Sequence, residues 1–183
     1  MFLYFASLAP HAPYQAPKAD IEAYKNVFQD ELHRTYAGMI TNLDRQIGRI
    51  VTALDKNRMR ENTIIVFTTD NGGATSALFA TGARSPEERA ESGSVALGSK
   101  PPASNAPFAG GKGTLMEGGV RLPAIFNWPA RVKPAVVNEP LHHVDIMPTL
   151  LALAGGSGDP SNPFAGKDAW GTIAEGKSSP HDD

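Results

Sequence analysis

The chain has 183 residues, 41% hydrophobic and 20% charged, with a formal net charge of −2. That composition is ordinary for a globular domain able to build a core, and it lacks the clustered basic excess of nucleic-acid binders. No apolar run reaches the ~18 residues a membrane-spanning helix needs, and the absence of cysteine excludes disulfides, thiolate metal sites and cysteine nucleophiles within the chain.

Phe2 to Ala6 is a short continuous apolar run, which predicts a strand covered on both faces. It runs into Pro10-His11-Ala12-Pro13, where the prolines oppose both helix and ladder. Phe28, Leu32, Tyr36, Met39, Ile40, Leu43, Ile47, Ile50, Val51 and Leu54 then recur at helical spacing and predict one long amphipathic helix. Its other face carries Asp30, Glu31, Arg34, Asp44, Arg45, Arg49 and Lys56, read as a solvated surface. Thr63 to Thr69 is a β-branched strand that breaks at Asp70-Asn71-Gly72-Gly73. Strand, helix, strand is the pattern of a parallel pair with a right-handed crossover, so residues 2–6 and 63–69 are expected to run parallel in one sheet.

Residues 74–109 form a long stretch rich in Ala, Ser, Gly and Pro, read as a loop insertion. Pro123 to Trp128 is a further strand, and Asp145 to Ala154 a helix with Asp145 at its N-cap and Gly155 as its stop. Residues 156–183 read as an irregular tail.

Polar groups with chemistry sit beside the predicted strands, and in open α/β sheets sites form outside the carboxyl ends of strands. Asp70-Asn71 offers an anionic and a neutral oxygen, donors that suit Ca²⁺ or Mg²⁺, although Asx before Gly-Gly is also a plain turn signal. Lys112 lies among glycines that let backbone approach a ligand, and its ammonium suits an oxyanion. It does not belong to a Walker loop, because Gly113 follows it and position 106 is Ala. His11 carries an imidazole, a side chain able to donate a proton. The neighbours His142 and His143 read as structural.

In this order, several segments together resemble the type I sulfatases. They are Pro10-His11-Ala12-Pro13, Tyr36-Ala37-Gly38-Met39-Ile40, Asp70-Asn71-Gly72-Gly73, Gly111-Lys112-Gly113-Thr114, Glu117-Gly118-Gly119-Val120-Arg121, and His143-Val144-Asp145-Ile146-Met147-Pro148-Thr149-Leu150-Leu151. Glu175-Gly176-Lys177-Ser178-Ser179-Pro180 looks most like the arylsulfatase B branch. The resemblance implies an alkaline-phosphatase-like α/β/α sandwich with a mostly parallel sheet, here incomplete. It implies hydrolysis of sulfate esters, with a formylglycine hydrate attacking sulfur beside Ca²⁺. By motif match Asp70 and Asn71 are calcium ligands, Lys112 holds the sulfate, and His11 contacts it and assists departure of the alcohol. The partner implied is a sulfated small molecule or glycan, with no nucleic acid and no membrane span, in a secreted, periplasmic or lysosomal setting.

The chain departs from that pattern at the nucleophile. It has no cysteine, and Ser99-Lys100-Pro101-Pro102 is followed by Ala103, not by the Arg of a Cys/Ser-x-Pro-x-Arg motif. The expectation is therefore a partial catalytic domain, the second half of a sulfatase, with the formylglycine segment upstream and a C-terminal subdomain missing. Such a chain is expected to be inactive alone. Two other readings stay open: an inactive anion-binding module, and a phosphoesterase of the same superfold using Thr or Ser.

Overall fold

A computed structural model describes residues 1–75 and 101–181. Most of the predicted loop over 74–109 lies outside the described residues, as do Ser99 and Lys100. The chain divides into two compact units, one of Met1–Arg58 with Phe67–Ala124 and one of Met59–Val66 with Ile125–Asp183.

The first unit contains the long predicted helix. It is α2, Glu31–Lys56, and it follows a short α1, Lys18–Glu22, that the sequence did not announce. α2 starts after Phe28 because Asp30 is extended and its carboxylate accepts the His33 N–H at 3.1 Å, satisfying one of the helix's free donors. Gly38 lets α1 approach closely: a Cβ there would lie 3.2 Å from the backbone of Asp20 and Ile21. Arg45 lies on the solvated face, its side chain 52% exposed, but its head group is also engaged. Its guanidinium forks onto the buried carboxylate of Asp20, with one bond at 3.1 Å, and Tyr24 meets Thr41 at 2.6 Å. Asp20 is held below its ordinary range chiefly by that hydrogen bond from Arg45.

β1, Ile65–Thr68, pairs with β2, Ala124–Asn127, in a two-stranded antiparallel sheet. Thr68 at the end of β1 reaches the Pro123 carbonyl before β2 at 3.3 Å, and Trp128 after β2 donates to the Glu61 carbonyl before β1 at 2.8 Å. The expected parallel pairing of 2–6 with 63–69 is not made. A strand exists only where a neighbour takes its N–H and C=O groups, and no described residue does so for Phe2 to Ala6. Phe2 and Tyr4 are instead more than four-fifths exposed.

In the second unit, a 3₁₀ turn at His143–Asp145 leads into α4, Ile146–Leu153, and Gly155 leaves the helix at φ +76°. Asp145 stands at the N-cap of α4 without capping it. Its carboxylate is buried and turned elsewhere: it accepts from His142 N at 2.8 Å, Lys167 N at 2.9 Å and His181 Nε2 at 2.8 Å. Thr149 is buried beside it, donating to the Asp145 carbonyl at 2.6 Å and accepting the Ala169 N–H at 2.9 Å. The predicted irregular tail contains a short helix, α5, Trp170–Glu175, ended by left-handed Gly176. Arg131 lies over the rings of both Trp128 and Trp170, at 4.8 and 5.1 Å. Between the two strands in sequence falls the remaining short helix, α3, Glu117–Val120, which belongs to the first unit.

Candidate active site

The site lies in the first unit, where glycine backbones pack directly on one another. β1 ends at Thr68, and Thr69 Oγ1 closes the turn onto the Asn71 carbonyl at 3.1 Å. Gly72 N–H then donates to Gly119 O at 3.1 Å, and Gly118 N–H to Ala109 O at 2.8 Å. A Cβ on Gly72 would fall 1.7 Å from Gly118 O, and one on Gly119 would fall 2.2 Å from Thr114 O. Only glycine permits these approaches. The Asp70-Asn71-Gly72-Gly73 and Glu117-Gly118-Gly119 segments are thus two halves of one backbone cradle.

Lys112 is fixed at the rim of this cradle. Its N–H donates to Gly73 O at 3.1 Å, three residues beyond Asp70, and Thr114 Oγ1 ties the loop by donating to Gly111 O at 2.8 Å. Its ammonium donates to Nε2 of His11 at 2.9 Å. His11 Nδ1 lies 2.7 Å from the Ala12 carbonyl, which can only accept, so Nδ1 carries the hydrogen and Nε2 the lone pair that Lys112 meets.

The structure therefore brings His11 to Lys112, and Lys112 to the segment that carries Asp70 and Asn71. The Asp70 carboxylate is exposed and accepts the Asn71 N–H at 3.0 Å, with no ion pair among the described residues. The Asn71 amide donates to Gly72 O at 2.9 Å, leaving its own oxygen as an acceptor. Carboxylate and amide oxygens are the hard donors that Ca²⁺ takes, so these two residues suit part of such a shell. They are not the whole of one: no group of His, Asp or Glu large enough to hold a metal occurs among the described residues. His142 and His143 lie in the second unit, where His142 Nδ1 accepts the Val144 N–H at 3.2 Å.

Sequence reading missed Asn105. Its side-chain oxygen accepts the Gly73 N–H at 2.8 Å, while its amide donates to Gly73 O at 2.9 Å and to Gly110 O at 3.1 Å. An asparagine within a stretch of Ala, Ser, Gly and Pro carries no signal beyond that of a turn.

The architecture is that of an incomplete α/β domain of the alkaline-phosphatase-like class. Within that class the chain belongs to the sulfatase family, whose model, described as Sulfatase, matches residues 1–157. Arylsulfatase J of Mus musculus is 34% identical over 100% of the chain, which covers 27% of that protein. Arylsulfatase A of Homo sapiens is 33% identical over 84% of the chain and 25% of its own length. Steryl-sulfatase of Mus musculus is 35% identical over 68% of the chain and 18% of its own length. The similar identities to different arylsulfatases and a steryl-sulfatase do not single out one branch. Among solved structures, Ps i-CgsB in complex with k-i-k-neocarrahexaose superposes with a TM-score of 0.75 at 34% identity, over 96% of this chain and 33% of that one. The chain thus spans about a quarter of the length of the first curated relatives it matches.

Proposed function

We propose that this chain supplies the sulfate-binding and leaving-group side of a sulfuric ester hydrolase acting on a sulfated sugar. The observation that carries the reading is the contact between Lys112 and His11, held over a glycine cradle that lies within the residues the Sulfatase model matches. An ammonium is a compact charge for the sulfuryl oxygens, where negative charge is concentrated. Once the Lys112 ammonium turns to the sulfuryl oxygens, Nε2 of His11 is free to take up a proton and pass it to the departing alkoxide, while the Ala12 carbonyl keeps the ring oriented through Nδ1. Asp70 and Asn71 would hold Ca²⁺, which, when bound, supplies a fixed positive charge against the ester's oxygens. The sugar class rests on the carrageenan-type oligosaccharide named for Ps i-CgsB and on N-acetylgalactosamine-6-sulfatase of Canis lupus familiaris, 32% identical over 84% of the chain.

The test is hydrolysis of an aryl sulfate, with calcium, by a protein extended upstream through a formylglycine motif and made in a host that forms that residue. Lys112→Ala and His11→Ala should each abolish most turnover. Undiminished turnover in Lys112→Ala would overturn the reading. The lack of both cysteine and Ser-x-Pro-x-Arg favours a second reading for the chain taken alone, an anion-binding module without turnover.

A further inference from the structure

We infer that Asn105 is the positioning residue of this site, setting where Lys112 and the Asp70-Asn71 segment stand relative to each other. The inference rests on the proposed sulfate-binding role of Lys112 for its purpose, but on geometry for its content. Gly73 follows directly on the Asp70-Asn71-Gly72 turn, and its N–H and C=O both bond to one carboxamide, that of Asn105. The same carboxamide bonds Gly110 O, just before the Gly111-Lys112 turn. The Gly73 carbonyl accepts a second bond from the Lys112 N–H at 3.1 Å. One half-buried side chain therefore bridges the backbones of both halves of the site, in the manner of a strand lent between them.

These bonds call for a carboxamide. The acceptor must face the Gly73 N–H while two donors face the carbonyls of Gly73 and Gly110, which an amide satisfies and a carboxylate cannot. The surroundings leave no room for adjustment: a Cβ on Gly111 would lie 2.4 Å from Gly73 O and 2.7 Å from the Asn105 amide nitrogen. A shift of this carboxamide therefore moves the Lys112 backbone, and with it the ammonium that meets His11 across the site.

The test is amide hydrogen exchange on the dilute, monomeric chain, read residue by residue by fragmentation mass spectrometry, comparing Asn105→Ala and Asn105→Asp with wild type. The Lys112 N–H is the informative probe, since it bonds Gly73 and not Asn105 itself. In Asn105→Ala, the Gly73 and Lys112 amides should lose protection about tenfold or more, while amides inside α2 keep theirs. In Asn105→Asp, the Lys112 amide should lose protection as well, because both donors are gone while the acceptor to Gly73 remains. Unchanged Lys112 exchange in either variant overturns the inference. Equal loss throughout α2 overturns it too, since Asn105 would then hold the fold as a whole. A parallel sulfate titration, followed at the Lys112 amide, should show weaker binding in Asn105→Ala. A wild-type chain with no sulfate response counts against the proposed function, and the exchange result still decides the role of Asn105.

Discussion

Lys112 and His11 are separated by 101 positions in the chain, yet the Lys112 ammonium donates to His11 Nε2 at 2.9 Å. The contact fixes a protonation pattern as well as a distance. A carbonyl cannot donate, so the Ala12 oxygen requires the hydrogen on Nδ1, and an ammonium cannot accept, so Nε2 must offer a lone pair. Neutral His11 is therefore expected as the Nδ1–H tautomer, the less common one for a free imidazole. Ring ¹⁵N shifts of the neutral imidazole should show an unprotonated Nε2. A predominant Nε2–H form would mean the two side chains do not meet in solution.

The glycine cradle gives a stability prediction with an internal control. Gly72→Ala places a methyl 1.7 Å from Gly118 O, a contact between backbones that no rotamer relieves. It should cost about 1–3 kcal/mol in thermal or denaturant melts and part Gly72 from Gly119. Gly48, inside α2, has nothing within 4 Å of its own Cβ position. Gly48→Ala should stabilise the chain by about 0.5–1 kcal/mol through helix propensity alone. Similar losses from both would show that the cradle is not packed as described.

The buried carboxylate of Asp145 makes the second unit acid-sensitive. Burial pushes its carboxyl up, but the N–H groups of Lys167 and His142 and the His181 ring outweigh that and hold it below the ordinary 3.8. A lowered carboxyl value adds stability that is complete above about 3.8 and drains away as pH falls through the lower, folded value. Asp145→Asn turns an amide towards a donor, leaves a buried N–H unpaired and should cost about 1–3 kcal/mol at neutral pH. Melts across the acid range should show the gap from wild type constant down to about 3.8 and closing below it. A gap that does not change with pH would mean the carboxyl is not held low.

These sites differ in how much of them could be read from the sequence, and the difference is one of range. α2 was legible because its apolar period repeats over 26 residues, and its start needed only the local Asp30–His33 bond. Gly155 as a helix stop was equally local. The neighbours of Asp145 look like a helix start, so the sequence suggests a cap there. Its actual partners Lys167 and His181 stand 22 and 36 residues away, and no periodicity reports them. Phe2 to Ala6 had the right composition for a strand, but composition does not provide the neighbour a strand needs. α5 escaped because six residues, one of them Gly171, give too little pattern. His11, Asp70, Asn71 and Lys112 stood out by residue chemistry beside predicted strands and gained specific roles through the family's motifs, while Asn105 did not stand out at all.

The chain by itself should not turn over. It contains no cysteine and no Ser-x-Pro-x-Arg, so no residue in it can become formylglycine. In the roles proposed for them, Lys112 would hold a sulfuryl group and His11 would pass a proton, but neither group replaces a covalent nucleophile in a double displacement. Asp70 and Asn71 provide too few oxygens for the six to eight that Ca²⁺ takes, so the cation should bind weakly and the ester should lose its main charge partner. Exposed apolar side chains add a practical consequence: Phe2, Tyr4 and Leu8 are 83%, 81% and 87% exposed, and a cluster of this kind favours self-association. The purified 183-residue chain, given an aryl sulfate and calcium, should therefore show no turnover and should aggregate as its concentration rises. Beside it, the protein extended upstream through the nucleophile motif should turn over, and Asp70→Ala or Lys112→Ala should abolish that activity. Robust hydrolysis by the 183-residue chain, lost in Lys112→Ala, would place a nucleophile among its own residues and rule out the formylglycine route.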